Sequence, residues 1–86
     1  MAVVCVHGPL RKPLGERPER EVAGDSVIEL LRGLERERPE MGGWILDERG
    51  LIRRHINVFV NGERGHEETP VGAADRVEVL PAITGG

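Results

Sequence analysis

The sequence predicts an α+β fold in which one helix packs on one face of a mixed four- to five-stranded sheet. Three observations lead to it: a β-branched run at the start, a helix with a marked beginning, and a strand that runs into an Asn-Gly turn near the end. A chain of 86 residues has room for one such domain.

The first strand is predicted at residues 2–7, "AVVCVH", which are rich in β-branched side chains and are followed by Gly-Pro. Residues 8–20, "GPLRKPLGERPER", hold several prolines and are predicted to be a connecting loop. A second strand is expected around residues 20–23, so that the two strands form a wide hairpin.

A helix is predicted over residues 27–38. Ser26 and Glu29 have the S-x-x-E spacing of a capping box, in which side chains satisfy the free backbone donors of the first turn. Pro39 is expected to end the helix, because the residue before a proline avoids helical geometry. One apolar stripe follows from the spacing i, i+3, i+4 and i+7 of four residues, Val27, Leu30, Leu31 and Leu34.

Residues 40–54, "EMGGWILDERGLIRR", are predicted to be irregular. Within them Trp44, Ile45 and Leu46 are expected to fold under the helix as a lid on the core.

The clearest hairpin signal is "HINVFVNGER". An alternating strand at 55–60 leads into Asn61-Gly62, a pair favoured where both turn residues need a positive φ. The last strand is predicted at 76–80, "RVEVL", and Pro81 is expected to end the pairing because it has no backbone N–H.

Side-chain alternation divides these two strands into faces. The aliphatic set is expected to face the helix: Ile56, Val58, Val60, Val77 and Val79. Phe59 and Leu80 then point away from the core. They are either scattered surface residues, which are common, or a patch on the open sheet face that docks a partner.

The composition excludes several classes of function. A net charge of −3 argues against nucleic acid or an anionic membrane as the main partner. Cys5 has no second cysteine with which to form a disulfide or a thiolate metal cage. No signal-peptide core or long apolar run is present, so we expect a cytoplasmic protein.

No catalytic site is predicted within the domain. His7, His55 and His66 lack the spacing of a metal site, and Gly42-Gly43 lacks the context of a phosphate-binding loop. Aspartates in the turns are expected to make local hydrogen bonds. We therefore expect no catalytic residues, no metal, no bound cofactor and a monomer when free.

The sequence ends on "VEVLPAITGG". We predict a domain at residues 1–80 and a flexible tail at residues 81–86, since glycine is costly to fix in one conformation. The tail is either a frayed terminus or a device that delivers the carboxylate of Gly86 to a buried site. A carboxylate is a poor acyl donor, so it would first have to be joined to a good leaving group such as AMP from ATP.

With these elements the chain resembles the ubiquitin-like sulfur carriers (MoaD/ThiS-like), which have the β-grasp fold. The resemblance extends from "VVCV" to the end and is sharpest in "HINVFVNGE" and "DRVEVLPAITGG". The family includes the small subunit of molybdopterin synthase, the thiamine sulfur carrier and the carriers of cysteine biosynthesis. The "NVFVNGE" and "LPAITGG" segments look more like the molybdopterin and cysteine types.

The resemblance implies a cosubstrate rather than an enzyme. In the family an E1-like adenylyltransferase uses ATP to adenylate the terminal glycine, here Gly86, which becomes a thiocarboxylate and gives its sulfur to a biosynthetic enzyme. By the same resemblance, Phe59 and Leu80 match the hydrophobic sheet surface that meets the activating enzyme. The remaining tail residues would enter the partner's active site: Ala82, Ile83, Thr84 and Gly85.

Three other functions remain open. The chain would be the small subunit of molybdopterin synthase if it forms a stable complex with a larger subunit. It would be a protein modifier if Gly86 is joined to lysines of targets, although its single lysine, Lys12, argues against ubiquitin-style chains. It would be a plain binding module if Gly86 is dispensable.

Overall fold

The computed structural model describes residues 1–7 and 19–81. Residues 8–18 of the predicted loop 8–20, and the tail residues 82–86, lie outside the described residues. Residues 19 and 20 were wrongly placed in the loop, since they begin the second strand. The described elements are β1 (Ala2–Val6), β2 (Glu19–Val22), α1 (Val27–Glu37), a 3-10 turn (Pro39–Met41), β3 (Ile56–Val60), β4 (Glu63–Arg64) and β5 (Arg76–Pro81).

The five strands form one mixed sheet in the order β2-β1-β5-β3-β4. β1 and β5 are parallel, with Val4 opposite Val77 and Val6 opposite Val79. The other neighbouring pairs are antiparallel. The first and last strands therefore meet at the centre of the sheet, and α1 covers one face. This is the β-grasp fold, and it confirms the predicted fold class.

The core lies between α1 and the sheet. The four apolar residues of the predicted helical stripe are all buried, and Leu30, Leu31 and Leu34 are among the largest fully buried side chains. They pack with valines of the two central strands. Burial of each such side chain contributes about 1.5–3 kcal/mol.

The first backbone N–H groups of α1 donate hydrogen bonds to two kinds of acceptor, a capping side chain and the carbonyl groups of a loop. Ser26 is the N-cap, and its Oγ accepts from Glu29 N at 3.4 Å, as the capping box predicts. Glu29 Oε2 accepts from the Ser26 hydroxyl at 3.2 Å. Val27 N and Ile28 N donate to the carbonyl oxygens of Thr69 and Glu67, each at 3.0 Å. The 67–69 loop therefore fixes the start of the helix.

The helix ends one residue earlier than predicted. Arg38 is the C-cap, with its N–H bonded to Leu34 O, and its φ of −130° and ψ of 79° are not helical. Pro39 begins the 3-10 turn immediately afterwards. The proline therefore displaces the residue before it from the helix.

The segment after α1 is only partly the lid that the sequence predicts. Ile45 and Leu46 are buried, but Trp44 is 38% exposed, so its predicted burial is wrong. The turn at residues 42–44 points Trp44 outward, and Met41, only 2% exposed, fills the core position before it. The chain then folds back on itself, with Leu46 bridged to Ile52.

The predicted Asn-Gly turn is present between β3 and β4. Asn61 has φ 51° and Gly62 has φ 87°, the left-handed values that this turn requires. β5 continues through Pro81, which lies opposite Ile56 of β3. Pro81, placed by the sequence analysis at the start of the tail, is thus the last described residue of the sheet.

Among the described residues, no helix is long and apolar enough to cross a membrane. The helix α1 has 11 residues.

Candidate functional site

The candidate site begins on the sheet face that α1 does not cover. Val58 and Val79 pack in the core and lie opposite each other, so their neighbours in β3 and β5 point to the other face. Phe59 lies opposite Glu78, and Leu80 lies opposite Asn57. Both apolar side chains are half-buried and lie outside the core cluster. The predicted face assignment is therefore confirmed.

Phe59 and Leu80 are diagonal neighbours on adjacent antiparallel strands. Side chains in this relation lie about 7–8 Å apart, within reach of a ring and a leucine. The structure therefore brings the two residues together, as the sequence analysis expects. Their role in binding a partner stays a prediction.

A row of five residues crosses the whole open face. The strand registers place them in the order Glu19, Cys5, Glu78, Phe59 and Arg64. The row is acidic at the β2 edge and basic at the β4 edge, with the aromatic ring beside the basic end. Alternation along β5 indicates that Glu78 lies on this face. Its position beside Phe59 depends on the register between β3 and β5, which are distant in the sequence. The row could therefore not be predicted.

One ion pair and one contact between a histidine and a carboxylate lie on the acidic side of the face. Arg76 Nη2 donates to Glu19 Oε2 at 2.5 Å, and this bond raises the pKa of the Arg76 guanidinium. His7 Nε2 lies 3.2 Å from Glu78 Oε1. Pairs as exposed as these contribute little to stability. Their effect is to fix the positions of charged groups around the apolar pair.

Cys5 is the second residue of this row, between Glu19 and Glu78, but is only 5% exposed. Burial is the main cause that raises the pKa of its thiol, and the nearby carboxylates of Glu19 and Glu78 add to the effect. A raised pKa disfavours the thiolate, which is the reactive form. Cys5 is therefore a small buried side chain of the sheet rather than a nucleophile.

Of the three histidines, His7 lies beside the carboxylate of Glu78. Within residues 1–7 and 19–81, no group of three His, Cys, Asp or Glu side chains is placed to hold a metal ion.

The predicted reactive residue, Gly86, and the tail residues before it lie outside the described residues. Pro81 leads into them at the end of β5, one residue after Leu80. Five residues reach at most about 18 Å when extended, at up to about 3.6 Å each. Whatever binds the terminal glycine therefore comes close to the open face and to the start of β3.

Comparison with protein families and solved structures agrees with this arrangement. The model of the ThiS family matches residues 4–86. A chain in the crystal structure of the BexX/CysO complex of Amycolatopsis orientalis is 29% identical, with 100% of both chains covered and a TM-score of 0.87. CysO of Mycobacterium tuberculosis is 25% identical over 96% of this chain and 100% of that one, with a TM-score of 0.84.

SAMP1 of Haloferax volcanii is 26% identical over 99% of this chain and 98% of that one, with a TM-score of 0.82. A comparison with curated proteins found no match. Since the family model extends over the first strand, the helix, the open face and the Gly-Gly ending alike, the chain belongs to the ThiS family of ubiquitin-like sulfur carriers.

Proposed function

We propose that this protein is a cytoplasmic sulfur carrier whose Gly86 is activated by an E1-like enzyme and then carries sulfur as a thiocarboxylate. The observation on which the proposal depends is the position of the apolar pair Phe59 and Leu80. The pair lies on the sheet face that α1 does not cover, and Leu80 comes just before the segment that ends in Gly-Gly. An enzyme that docks on this pair has the tail within reach.

The chemistry proposed for Gly86 proceeds in two steps. A carboxylate oxygen attacks the α-phosphate of ATP, an acyl-adenylate forms, and pyrophosphate leaves. A sulfur nucleophile at the hydrosulfide level then attacks the acyl carbon, the C–S bond forms, and the bond to AMP breaks. The result is a C-terminal thiocarboxylate, whose sulfur a biosynthetic enzyme can transfer to its substrate.

In this scheme the carrier supplies the acyl group and the docking surface, while the activating enzyme binds ATP. No residue of the domain has to act as an acid, a base or a nucleophile. This division of labour is supported by the raised pKa of the Cys5 thiol. It also agrees with an open face that holds apolar and ion-paired groups rather than a cluster of reactive ones.

We further propose that the sulfur is used to make cysteine or another sulfur-containing metabolite. The support is the likeness to CysO chains of two organisms, at 29% and 25% identity over nearly the whole chain. A second candidate is a protein modifier, in which Gly86 is joined to lysines of other proteins. It is favoured by the likeness to SAMP1, a small archaeal modifier protein, at 26% and 28% identity in two organisms.

The test is the intact mass of the protein incubated with its host's E1-like enzyme, ATP and a sulfide source. A carrier gains the mass difference between sulfur and oxygen, localised to Gly86. Larger adducts linked to lysines of other proteins would instead support the modifier. A variant that lacks Gly86 is the matched control and should show neither product. An unmodified wild-type mass would leave a binding module as the function.

A further inference from the structure

A cleft of 180 Å³ opens at the β4 edge of the sheet, beside the start of β3. Arg53, Arg54 and Arg64 line it, together with His66. Glu67 also lies in the cleft, but its Oε2 already accepts a hydrogen bond from Ile52 N at 3.1 Å. Three guanidinium groups against one engaged carboxylate give the cleft a positive charge on a protein whose net charge is −3.

None of the three arginines forms an ion pair with another residue in the described part of the chain. The ion pairs within residues 1–7 and 19–81 involve His7, Arg49 and Arg76, and none of them includes a cleft arginine. Moreover, Arg53 Nε is buried and has no hydrogen-bond acceptor among the described residues. This nitrogen therefore makes no contact within the described residues that would offset the positive charge of the cleft.

The backbone holds Arg53 in place. Its N–H donates to Ile45 O at 2.9 Å, and its carbonyl oxygen accepts from Ile56 N at 3.0 Å. The side chain of Arg53 therefore extends from a backbone position that two hydrogen bonds fix.

The cleft lies at a sheet edge that adjoins the candidate docking surface and the base of the tail. Arg64 lies opposite Phe59 on the strand pair β3–β4. Ile56, which lines the cleft, lies opposite Pro81, the last described residue before the tail. An enzyme that docks on Phe59 and holds the tail would therefore meet the cleft arginines at the edge of its contact area.

We propose that this arginine cleft binds an acidic surface, rich in Asp and Glu side chains, on the E1-like enzyme that activates the tail. This inference rests on the proposed function. Carboxylates match the guanidinium groups in charge and in hydrogen-bond geometry. Because the cleft arginines lie at one edge of the sheet, an enzyme with a carboxylate patch is attracted to that edge. The charges therefore orient the complex and speed its formation.

The experiment compares kcat/KM for the carrier in ATP-dependent activation, measured as pyrophosphate release by the host's E1-like enzyme. The variant is Arg54→Glu with Arg64→Glu, since both residues are exposed. The matched control is Arg32→Glu with Arg36→Glu, which makes the same change of charge on exposed positions of α1. Arg54→Lys with Arg64→Lys keeps the charge.

At roughly 25 mM salt, kcat/KM of the glutamate variant should fall about tenfold with kcat unchanged, because charges at the edge of an interface mainly affect association. At roughly 300 mM salt the difference from the wild type should nearly vanish, because such charges are screened. The control and the lysine variant should stay within about twofold of the wild type.

An equal loss in the α1 control, no loss in the glutamate variant, or a loss that is unchanged at high salt would overturn the inference while leaving the proposed function intact. A wild-type protein that the enzyme does not activate at all would overturn the proposed function, and the inference with it.

Discussion

Two aspartates organise turns of this protein through hydrogen bonds, as the sequence analysis expects of aspartate in a turn. Asp47 Oδ1 accepts from the N–H of Arg49 and of Leu51, at 2.8 and 3.1 Å. Asp75 makes one local bond, from Gly72 N at 2.7 Å, and one distant bond, from Asn61 Nδ2 at 2.9 Å. The distant bond ties the Asn-Gly turn to the start of β5. It was not predictable, because it depends on the pairing of the strands.

These bonds to Asp75 lower the pKa of its carboxyl group below the ordinary value of 3.8. A carboxyl with a lowered pKa in the folded state adds stability above its unfolded pKa, and this stability is lost as the pH falls through the folded pKa. Asp75→Asn should therefore lower the free energy of unfolding at pH 7. The difference from the wild type should shrink as the pH falls through the region of the unfolded pKa, near 3.8, and on through the lower folded pKa.

Urea unfolding of both proteins at neutral and at strongly acidic pH measures this difference. Glu48→Gln is the control, because Glu48 is exposed and its removal should change little at either pH. A destabilisation by Asp75→Asn that does not depend on pH would contradict the assignment to the ionised carboxylate.

At the scale of elements, the features that the sequence predicts well are those that depend on residues within one turn of each other. The cap at Ser26, the apolar stripe of α1 and the Asn61-Gly62 turn belong to this group. What could not be predicted depends on distant partners. The carbonyl of Thr69 that receives the first N–H of α1 is 42 residues away from Val27, and only the folded sheet brings it there.

Ser26→Ala should destabilise the protein by about 0.5–1 kcal/mol, the lower part of the usual range for a cap. The loss is modest because the bond to Glu29 N is long, at 3.4 Å, and because Val27 N and Ile28 N keep their partners in the 67–69 loop. Chemical denaturation measures the loss, and Ser26→Asp should restore stability. A loss well above 2 kcal/mol would mean that the cap also holds the 67–69 loop.

Leu30→Ala should be far more harmful, by about 2–5 kcal/mol, since it leaves a cavity in the core. Leu30 is fully buried between α1 and the sheet, whereas Leu51 is 37% exposed. Leu51→Ala, which removes the same atoms, is therefore the matched control and should cost much less. Similar losses for the two variants would contradict the described position of α1 on the sheet.

At the scale of the molecule, α1 covers one face of the sheet, and an apolar pair lies on the other face. Alternation along β3 and β5 predicts which residues reach that face. It does not predict the charged row around them or the arginine cleft, because both depend on the order of the strands. The apolar pair of the candidate site was thus predicted from the sequence, whereas the charged row and the arginine cleft were not.

Phe59→Asp and Leu80→Asp should each lower kcat/KM for activation by the E1-like enzyme by about tenfold or more, as expected when an apolar anchor of an interface is replaced by a charge. Circular dichroism and thermal unfolding should remain close to those of the wild type, because neither residue belongs to the core cluster. Trp44→Asp is the control, since Trp44 is an exposed apolar residue that does not lie on this face. Loss of folding in either variant would contradict the face assignment.

The central position of β5 has a consequence for how the protein is made. β1 and β3 each pair with β5 and not with each other, so the sheet lacks its middle until the last strand is added. During synthesis, residues 2–6 must wait for residues 76–81 before the pairing between them can form. A chain that stops before β5 lacks the central strand, so we expect it to stay unfolded. A folded domain has therefore already been extended to the strand that leads into the tail.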